Sequence, residues 1–120
     1  MTANIYWVLE LDVRAGGLET FRALMREMVA AAQREPGTLN YEWNISADCR
    51  VCHIYVRYRN GAAVMDHMAS WDGNFSRRFS ALATITRMSV YGAPDATVKA
   101  VLEPYGPVYY EQFGGFDRQN

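Results

Sequence analysis

The segment Glu35-Pro36-Gly37-Thr38-Leu39-Asn40-Tyr41-Glu42 joins a helical pattern to a strand pattern and decides the fold prediction. Proline cannot continue the helix that precedes it, and glycine readily adopts the left-handed backbone that many helix exits require. Apolar and polar residues alternate from Leu39 onward, as they do in a half-buried strand. The segment therefore predicts a helix that ends before Pro36 and a strand that begins at Thr38.

A strand and a helix are predicted on the N-terminal side of this segment. Large apolar residues occupy every second position from Ile5 to Val13, and this period of two within residues 4–13 indicates a strand. Ala15-Gly16-Gly17 interrupts the alternation. Apolar residues then recur every three or four positions, as expected of an amphipathic helix: Leu18, Phe21, Leu24, Met25, Met28, Val29 and Ala32.

On the C-terminal side, residues 38–47 and 51–59 alternate around a polar turn and predict a hairpin. Asn60 can cap the helix that follows. An apolar stripe with spacings of three and four follows: Val64, Met68, Trp71, Phe75, Phe79 and Leu82. Asp72-Gly73-Asn74 interrupts this stripe, which predicts two short helices. A fourth strand over residues 85–91, a helical turn over 95–102 and an aromatic strand over 108–113 complete the chain.

This order predicts an α+β fold of the ferredoxin-like split β-α-β type, with a four-stranded antiparallel sheet and helices on one face. The prediction is a single domain over residues 1–120, with a core over about 4–93 and a C-terminal arm over about 94–120. The uncovered sheet face favours a homodimer joined through its sheets. The arm is rich in aromatic residues, and addition of its strand to the partner's sheet edge is slightly favoured over docking on its own subunit.

Composition narrows the possible partners. The chain of 120 residues has 12 basic and 13 acidic side chains and a net charge of -1, with no basic stripe to bind nucleic acid. No apolar run approaches the roughly 20 residues that span a bilayer, and no basic leader precedes the first strand, so we expect a cytoplasmic protein without a membrane partner. Cys49 and Cys52 have C-x-x-C spacing but no second cysteine pair, and two free thiols are expected without a metal.

The order of the motifs resembles the antibiotic biosynthesis monooxygenase family over about residues 4–93. The resemblance rests on Glu35-Pro36-Gly37 with Tyr41, and on Tyr58-Arg59-Asn60 followed by a helix that carries His67. The late segment Phe113-Gly114-Gly115-Phe116 resembles a tail found in one branch of the family.

This resemblance implies a dimeric α+β barrel with a pocket between the sheet and the helices of each subunit. Several members oxidise phenolic polycycles or hydroquinones with oxygen and without metal or flavin, so no cofactor is implied. Other members isomerise a signalling molecule or break down haem. Haem breakdown is disfavoured because His67 stands where that branch has a tryptophan, and the expected axial histidine falls near Arg77.

One position departs from the family pattern. Val56 stands where members often carry an acidic residue, eleven residues before His67. A base or orienting group has either been lost or been replaced by Glu42 or Glu10 on a neighbouring strand.

His67 is the first candidate for a catalytic base. It lies at the edge of the apolar stripe between Val64 and Trp71, where it faces the sheet. An imidazole can remove a phenolic proton at neutral pH and leave an electron-rich anion for oxygen. Asn44, Tyr55 and Arg57 are the predicted orienting groups, because they can donate hydrogen bonds or stabilise negative charge.

The substrate-binding candidates form two groups. Asn40, Glu42 and His53 extend a polar floor across the hairpin, together with the orienting groups. Trp71, Phe75 and Phe79 are predicted to wall a flat aromatic ligand. The polar groups fit a dimer interface equally well. Alternation leaves open which side of the sheet meets the helices, and the side with Trp7, Tyr41 and Trp43 is favoured.

The leading functional prediction is a cofactor-independent monooxygenase of a phenol, hydroquinone or anthrone-like small molecule. An isomerase or other proton-transfer enzyme in the same pocket is the second. A non-catalytic, small-molecule-binding dimer is the third, because no Ser or Cys is paired with a His at a recognisable spacing.

Overall fold

The computed structural model describes residues 2–118. Nine helices and strands follow each other in this part of the chain: β1 (Ile5–Val13), α1 (Leu18–Gln33), β2 (Thr38–Ile45), β3 (Val51–Tyr58), α2 (Gly61–Ser70), α3 (Ser76–Leu82), β4 (Ala83–Gly92), α4 (Ala96–Leu102) and β5 (Val108–Tyr110). A π-helical turn, Trp71–Phe75, joins α2 to α3, and a 3-10 turn, Glu103–Tyr105, follows α4.

The strands form one five-stranded sheet in the order β2-β3-β1-β4-β5. The first four strands pair antiparallel in the predicted split β-α-β order, so the α+β ferredoxin-like class is confirmed. The prediction of a four-stranded, wholly antiparallel sheet is wrong, because α4 carries the chain back and β5 runs parallel to β4. Within the chain β5 pairs with its own β4, whereas the sequence favoured addition to a partner's sheet.

The turn at Glu35-Pro36-Gly37 brings the end of α1 close to the start of α2. A Cβ atom on Gly37 would overlap the Cβ atom of Ala63, so only glycine fits this crossing. The Gly37 carbonyl accepts a hydrogen bond of 2.8 Å from the Arg59 amide. Asn60 caps α2 as predicted, because its side chain accepts a bond of 3.0 Å from the Ala63 amide. The family-like turn thus fixes the two helices against each other.

The two predicted short helices are present as α2 and α3, but the chain does not leave the helical path at Asp72-Gly73-Asn74 between them. The helical path continues through the π turn, in which the Ser76 amide donates to the Trp71 carbonyl five residues earlier. Such a turn adds one residue to the helical path and shifts the phase of the apolar stripe.

The helices cover the sheet side that the sequence favoured. Trp7 is 4% exposed and Val56 is 1% exposed beneath the helices, and Tyr41 and Trp43 pack against the same core. On the opposite side, which we call the outer face, Tyr6, Val8, Tyr55 and Tyr91 belong to neighbouring strands and point away from the helices. Among residues 2–118, the helices lack the length and apolar character needed to cross a membrane.

Candidate active site

The His67 side chain contacts a carboxylate that lies just beyond the end of α1. The Nδ1 atom of His67 lies 3.1 Å from the Oε1 atom of Glu35, and the two side chains are only 14% and 16% exposed. The Thr38 hydroxyl donates a bond of 2.8 Å to the same carboxylate oxygen. The helix-to-strand turn therefore holds an acid in contact with the candidate base.

The charge state of Glu35 favours one tautomer of His67. Burial alone would raise the pKa of the Glu35 carboxyl, but its hydrogen bonds with His67 and Thr38 and the charge of His67 together lower that pKa below its ordinary value. An ionised carboxylate is an acceptor, so the proton of a neutral His67 lies on Nδ1. The Nε2 atom, which has no partner among the described residues, then carries the lone pair that can accept a substrate proton.

His67 belongs to the wall of an apolar cavity between the sheet and the helices, which we call the His67 cavity. The free volume is about 40 Å³, enough for a few water-sized molecules. Strands β1 to β4, helices α1 to α3 and the C-terminal segment all contribute to its lining: Trp7, Leu9, Met28, Tyr41, Ile54, Val56, Met68, Trp71, Phe79, Ile85, Met88 and Tyr105. The candidate base therefore lies in a largely apolar setting.

Two tyrosines flank the His67 ring. The ring centroids of Tyr58 and Tyr41 lie 5.2 Å and 6.0 Å from that of His67. Burial, with the nearby Glu35 carboxylate adding to it, raises the pKa of both phenols well above the ordinary value, so both remain neutral donors at physiological pH. The Tyr58 hydroxyl is fully buried and has no partner among the described residues. An unpaired donor thus lies beside the candidate base.

The acidic partner of His67 is Glu35 and not the two residues considered from the sequence. Val56 forms part of the cavity wall and is paired across the strands with Trp7 and Tyr41. Glu42 and Glu10 point to the outer face, because their cross-strand partners Tyr55 and His53 do so. Glu35 and His67 are 32 positions apart, so no local pattern indicates their contact.

The predicted aromatic wall is only partly assembled. Trp71 and Phe79 both line the His67 cavity, and their ring centroids lie 4.9 Å apart. Phe75 instead lines a surface groove between α1 and the α2–α3 region, together with Glu27 and Arg78. The π turn that was not anticipated from the sequence begins at Trp71 and ends at Phe75, and it accounts for this different orientation.

The structure does not bring the predicted polar floor together with His67. The six residues of that floor lie on the outer face of β2 and β3, opposite one another in the register: Asn40, Glu42, Asn44, His53, Tyr55 and Arg57. The sheet separates them from the cavity on the helix side. There His53 lies 3.6 Å from Glu10, and Arg57 lies 3.5 Å from Asp117 in the C-terminal segment.

The two cysteines have no part in this site. Both are free thiols, with Cys52 buried and Cys49 partly exposed in the hairpin turn. Burial raises the pKa of the Cys52 thiol to about 11, which keeps it protonated. Within the described residues, no group of three or more His, Cys, Asp or Glu side chains is arranged to hold a metal ion.

Comparison with solved structures places this fold among proteins of similar size. MupZ from Pseudomonas fluorescens superposes with a TM-score of 0.87 at 22% identity, over 98% of this chain and 91% of MupZ. SnoaB, a cofactor-independent oxygenase from Streptomyces nogalater, gives a TM-score of 0.66 at 16% identity, over 79% of this chain and 97% of SnoaB. Rv0793 from Mycobacterium tuberculosis gives a TM-score of 0.64 at 24% identity, over 77% of this chain and 96% of Rv0793. At these identities the likeness shows the fold alone.

Sequence comparison identifies the family. No curated protein matches this chain significantly. The profile of the family described as antibiotic biosynthesis monooxygenase matches residues 4–82, which include Glu35, His67 and most of the cavity wall. This chain therefore belongs to the antibiotic biosynthesis monooxygenase family.

Proposed function

We propose that this protein is a cofactor-independent monooxygenase of a phenolic, hydroquinone or anthrone-like small molecule. The observation that carries the proposal is the contact between His67 and Glu35 at the wall of an apolar cavity. Membership of the family and the fold shared with SnoaB, a cofactor-independent oxygenase, support the same class of reaction.

The chemistry starts with a proton transfer. The Nε2 atom of His67 removes the acidic proton of the substrate, and the ionised Glu35 stabilises the imidazolium that forms. The substrate anion gives one electron to dioxygen, and the two radicals combine to form a carbon-bound peroxide. Proton return from His67 and loss of water leave a carbonyl, so that a CH₂ group and O₂ become C=O and H₂O. The equation balances without an external reductant.

The cavity wall suits a planar aromatic substrate. Trp7, Trp71 and Phe79 offer aromatic surfaces, and Met28, Met68 and Met88 are flexible enough to adapt to a ring system. An apolar setting also strengthens the interaction between Glu35 and the imidazolium and excludes water from the peroxide. These properties favour an uncharged, ring-shaped substrate that becomes an anion only after binding.

Oxygen uptake by metal-stripped protein tests this proposal. The panel contains anthrones, naphthols and hydroquinones, and the variants are His67→Gln and His53→Gln. The chain has only two histidines, so His53→Gln is a matched control on the outer face. We expect saturable, substrate-dependent uptake that His67→Gln loses and His53→Gln keeps. Loss in His53→Gln alone would instead place the reaction on the outer face.

Proton transfer without oxygen is the second candidate function. It is favoured by the separation of Asn44, Tyr55 and Arg57 from His67, because those groups were expected to orient a peroxide. An isomerase would still need His67 and would convert its substrate equally well under nitrogen. If the wild type and His67→Gln both bind the panel compounds and neither converts them, the result would support a non-catalytic binding protein.

We also propose that the outer face joins two copies of the chain. Tyr6 stacks on Tyr91 with ring centroids 5.3 Å apart, and Tyr91 stacks on Tyr110 at 5.5 Å, so an aromatic row crosses this face. Phe113 and Phe116 are 106% and 79% exposed in the segment that follows β5. Large aromatic groups left in water favour burial against a partner.

The mass of the protein in solution tests this arrangement. Light scattering should give the mass of a dimer for the wild type, a smaller mass for Val8→Lys, and a dimer for the control Ala62→Lys on the exposed side of α2. A monomeric wild type would contradict the proposal.

A further inference from the structure

Tyr105 forms one wall of the His67 cavity although it lies outside the part of the chain that matches the family profile. That match ends at residue 82, and Tyr105 ends the 3-10 turn that follows α4. SnoaB and Rv0793 match 79% and 77% of this chain, whereas MupZ matches 98%. A residue of the C-terminal segment thus completes a cavity that is otherwise built from the sheet and helices α1 to α3.

The Tyr105 hydroxyl is bonded to the π turn. The Nε1 atom of Trp71 donates to it at 2.7 Å, and the hydroxyl donates in turn to the Asp72 carboxylate at 3.4 Å. Trp71 is 8% exposed, while Asp72 is open to solvent and can exchange the hydroxyl for water. We call these two bonds the Tyr105 latch. Its stronger member depends on the π turn, a feature that is frequent at functional sites.

The backbone around Tyr105 is held in place, so the side chain is the part that can move. Val98 and Leu102 of α4 are 1% and 0% exposed in the core. The Asp95 side chain caps the same helix with a bond of 2.9 Å to the Val98 amide. Gly106 then turns the chain away with a φ of 62°, a conformation that glycine adopts readily. An opening at this wall therefore requires movement of the Tyr105 side chain and not of α4.

We propose that Tyr105 gates the His67 cavity and sets the size of the aromatic substrate that reaches His67. With the latch closed, the free volume of about 40 Å³ is far below the roughly 300 to 1,000 Å³ of typical small-molecule sites. Outward rotation of the Tyr105 ring removes one wall and opens a path toward Trp71 and His67. The chemical class of the ligand rests on the proposed function, but the gate itself does not.

Ligand binding under nitrogen tests the gate without any turnover. Trp7 and Trp71 line the cavity, so quenching of tryptophan fluorescence by 1-naphthol and by a tricyclic anthrone reports entry. Stopped-flow measurements give the association rate and the Kd for the wild type, Tyr105→Ala and Tyr105→Phe. Tyr109→Phe is the matched control, because Tyr109 lies outside the cavity lining in β5. Thermal unfolding checks that each variant is folded.

The ratio of the Kd for 1-naphthol to the Kd for the tricyclic anthrone should be at least fivefold higher in Tyr105→Ala than in the wild type. Tyr105→Phe keeps the ring and loses the latch, so its association rates should rise at least threefold with little change in preference between the two probes. The proposed gate would be wrong if both variants kept the association rates of the wild type and its preference between the two probes. It would also be wrong if neither probe entered Tyr105→Ala. If Tyr105→Ala does not fold, the association rates of Tyr105→Phe decide the question. Failed oxygen uptake with normal gating would reject only the proposed reaction.

Discussion

Replacement of Glu35 by glutamine separates the role of the carboxylate from the shape of the site. Glutamine has nearly the same size, and its amide oxygen can still accept the bonds that His67 and Thr38 make with Glu35. What the variant loses is the negative charge beside the imidazole. The substrate-facing surface should be unchanged, because Glu35 does not line the His67 cavity and instead lines the surface groove.

The size of the effect follows from the difference between a charged and a neutral acceptor. A hydrogen bond to a charged group contributes about 1.5–3 kcal/mol, and one between neutral groups about 0.5–1.5 kcal/mol. Glu35 and His67 are both more than four-fifths buried, so solvent screens their interaction little. Loss of about 1–2 kcal/mol of stabilisation of the imidazolium corresponds to a fall in kcat of about 5- to 30-fold. KM should stay within about twofold.

Steady-state oxygen uptake with the best substrate of the panel measures both constants. Asp66→Asn is the matched control, because Asp66 is exposed on α2 and is next to His67 in the sequence. This substitution also removes one negative charge, but it does so without changing the contact of the imidazole. We expect kcat to fall in Glu35→Gln and to stay within twofold of the wild type in Asp66→Asn. Equal kcat values for the wild type and a folded Glu35→Gln would refute the role given to the carboxylate.

Three further predictions concern stability. Tyr58→Phe removes an unpaired buried hydroxyl and should leave the free energy of unfolding unchanged or raise it by up to about 1 kcal/mol in urea; a loss above 1 kcal/mol would mean that the hydroxyl is bonded. Gly92→Ala should cost about 1–3 kcal/mol, because Gly92 has a φ of 95° and a Cβ atom there would overlap the Asn4 carbonyl, whereas Gly73→Ala meets nothing and should be neutral or stabilising. The pKa of Glu35 is lower in the folded chain than its ordinary value, so its contribution is complete above that ordinary value and is lost as pH falls through the lowered one. Urea unfolding between about pH 6 and pH 3 should therefore show the wild type losing its advantage over Glu35→Gln, and a constant difference would contradict this.

Much of the fold was predictable because its patterns are local. The alternation in the first four strands and the stop at Pro36 predicted elements that the structure contains, and the apolar face of Trp7 and Tyr41 was correctly favoured for the helix side. The fifth strand was placed near its true position, but its parallel pairing depends on how α4 returns the chain, which no short-range pattern encodes. The π turn was missed because Asp72-Gly73-Asn74 has the composition of a helix break.

The candidate site was less predictable because it is formed by contacts between distant parts of the chain. His67 was chosen from its position on the apolar stripe, and the structure places it at the cavity wall. Its acidic partner Glu35 stands in the very segment that fixed the fold, yet there it was interpreted only as part of a turn. Tyr105 was covered only by the general observation that the C-terminal arm is rich in aromatic residues, because its bond to Trp71 spans 34 positions.

The fate of labelled oxygen decides whether this protein is a monooxygenase. Metal-stripped protein is supplied with heavy-isotope dioxygen and its best substrate, and the product is examined by mass spectrometry. We expect one labelled oxygen atom per product molecule, no product under nitrogen, and loss of the labelled product in His67→Gln but not in His53→Gln. Product that forms equally well under nitrogen, or that carries no label, would contradict the monooxygenase and support proton transfer alone.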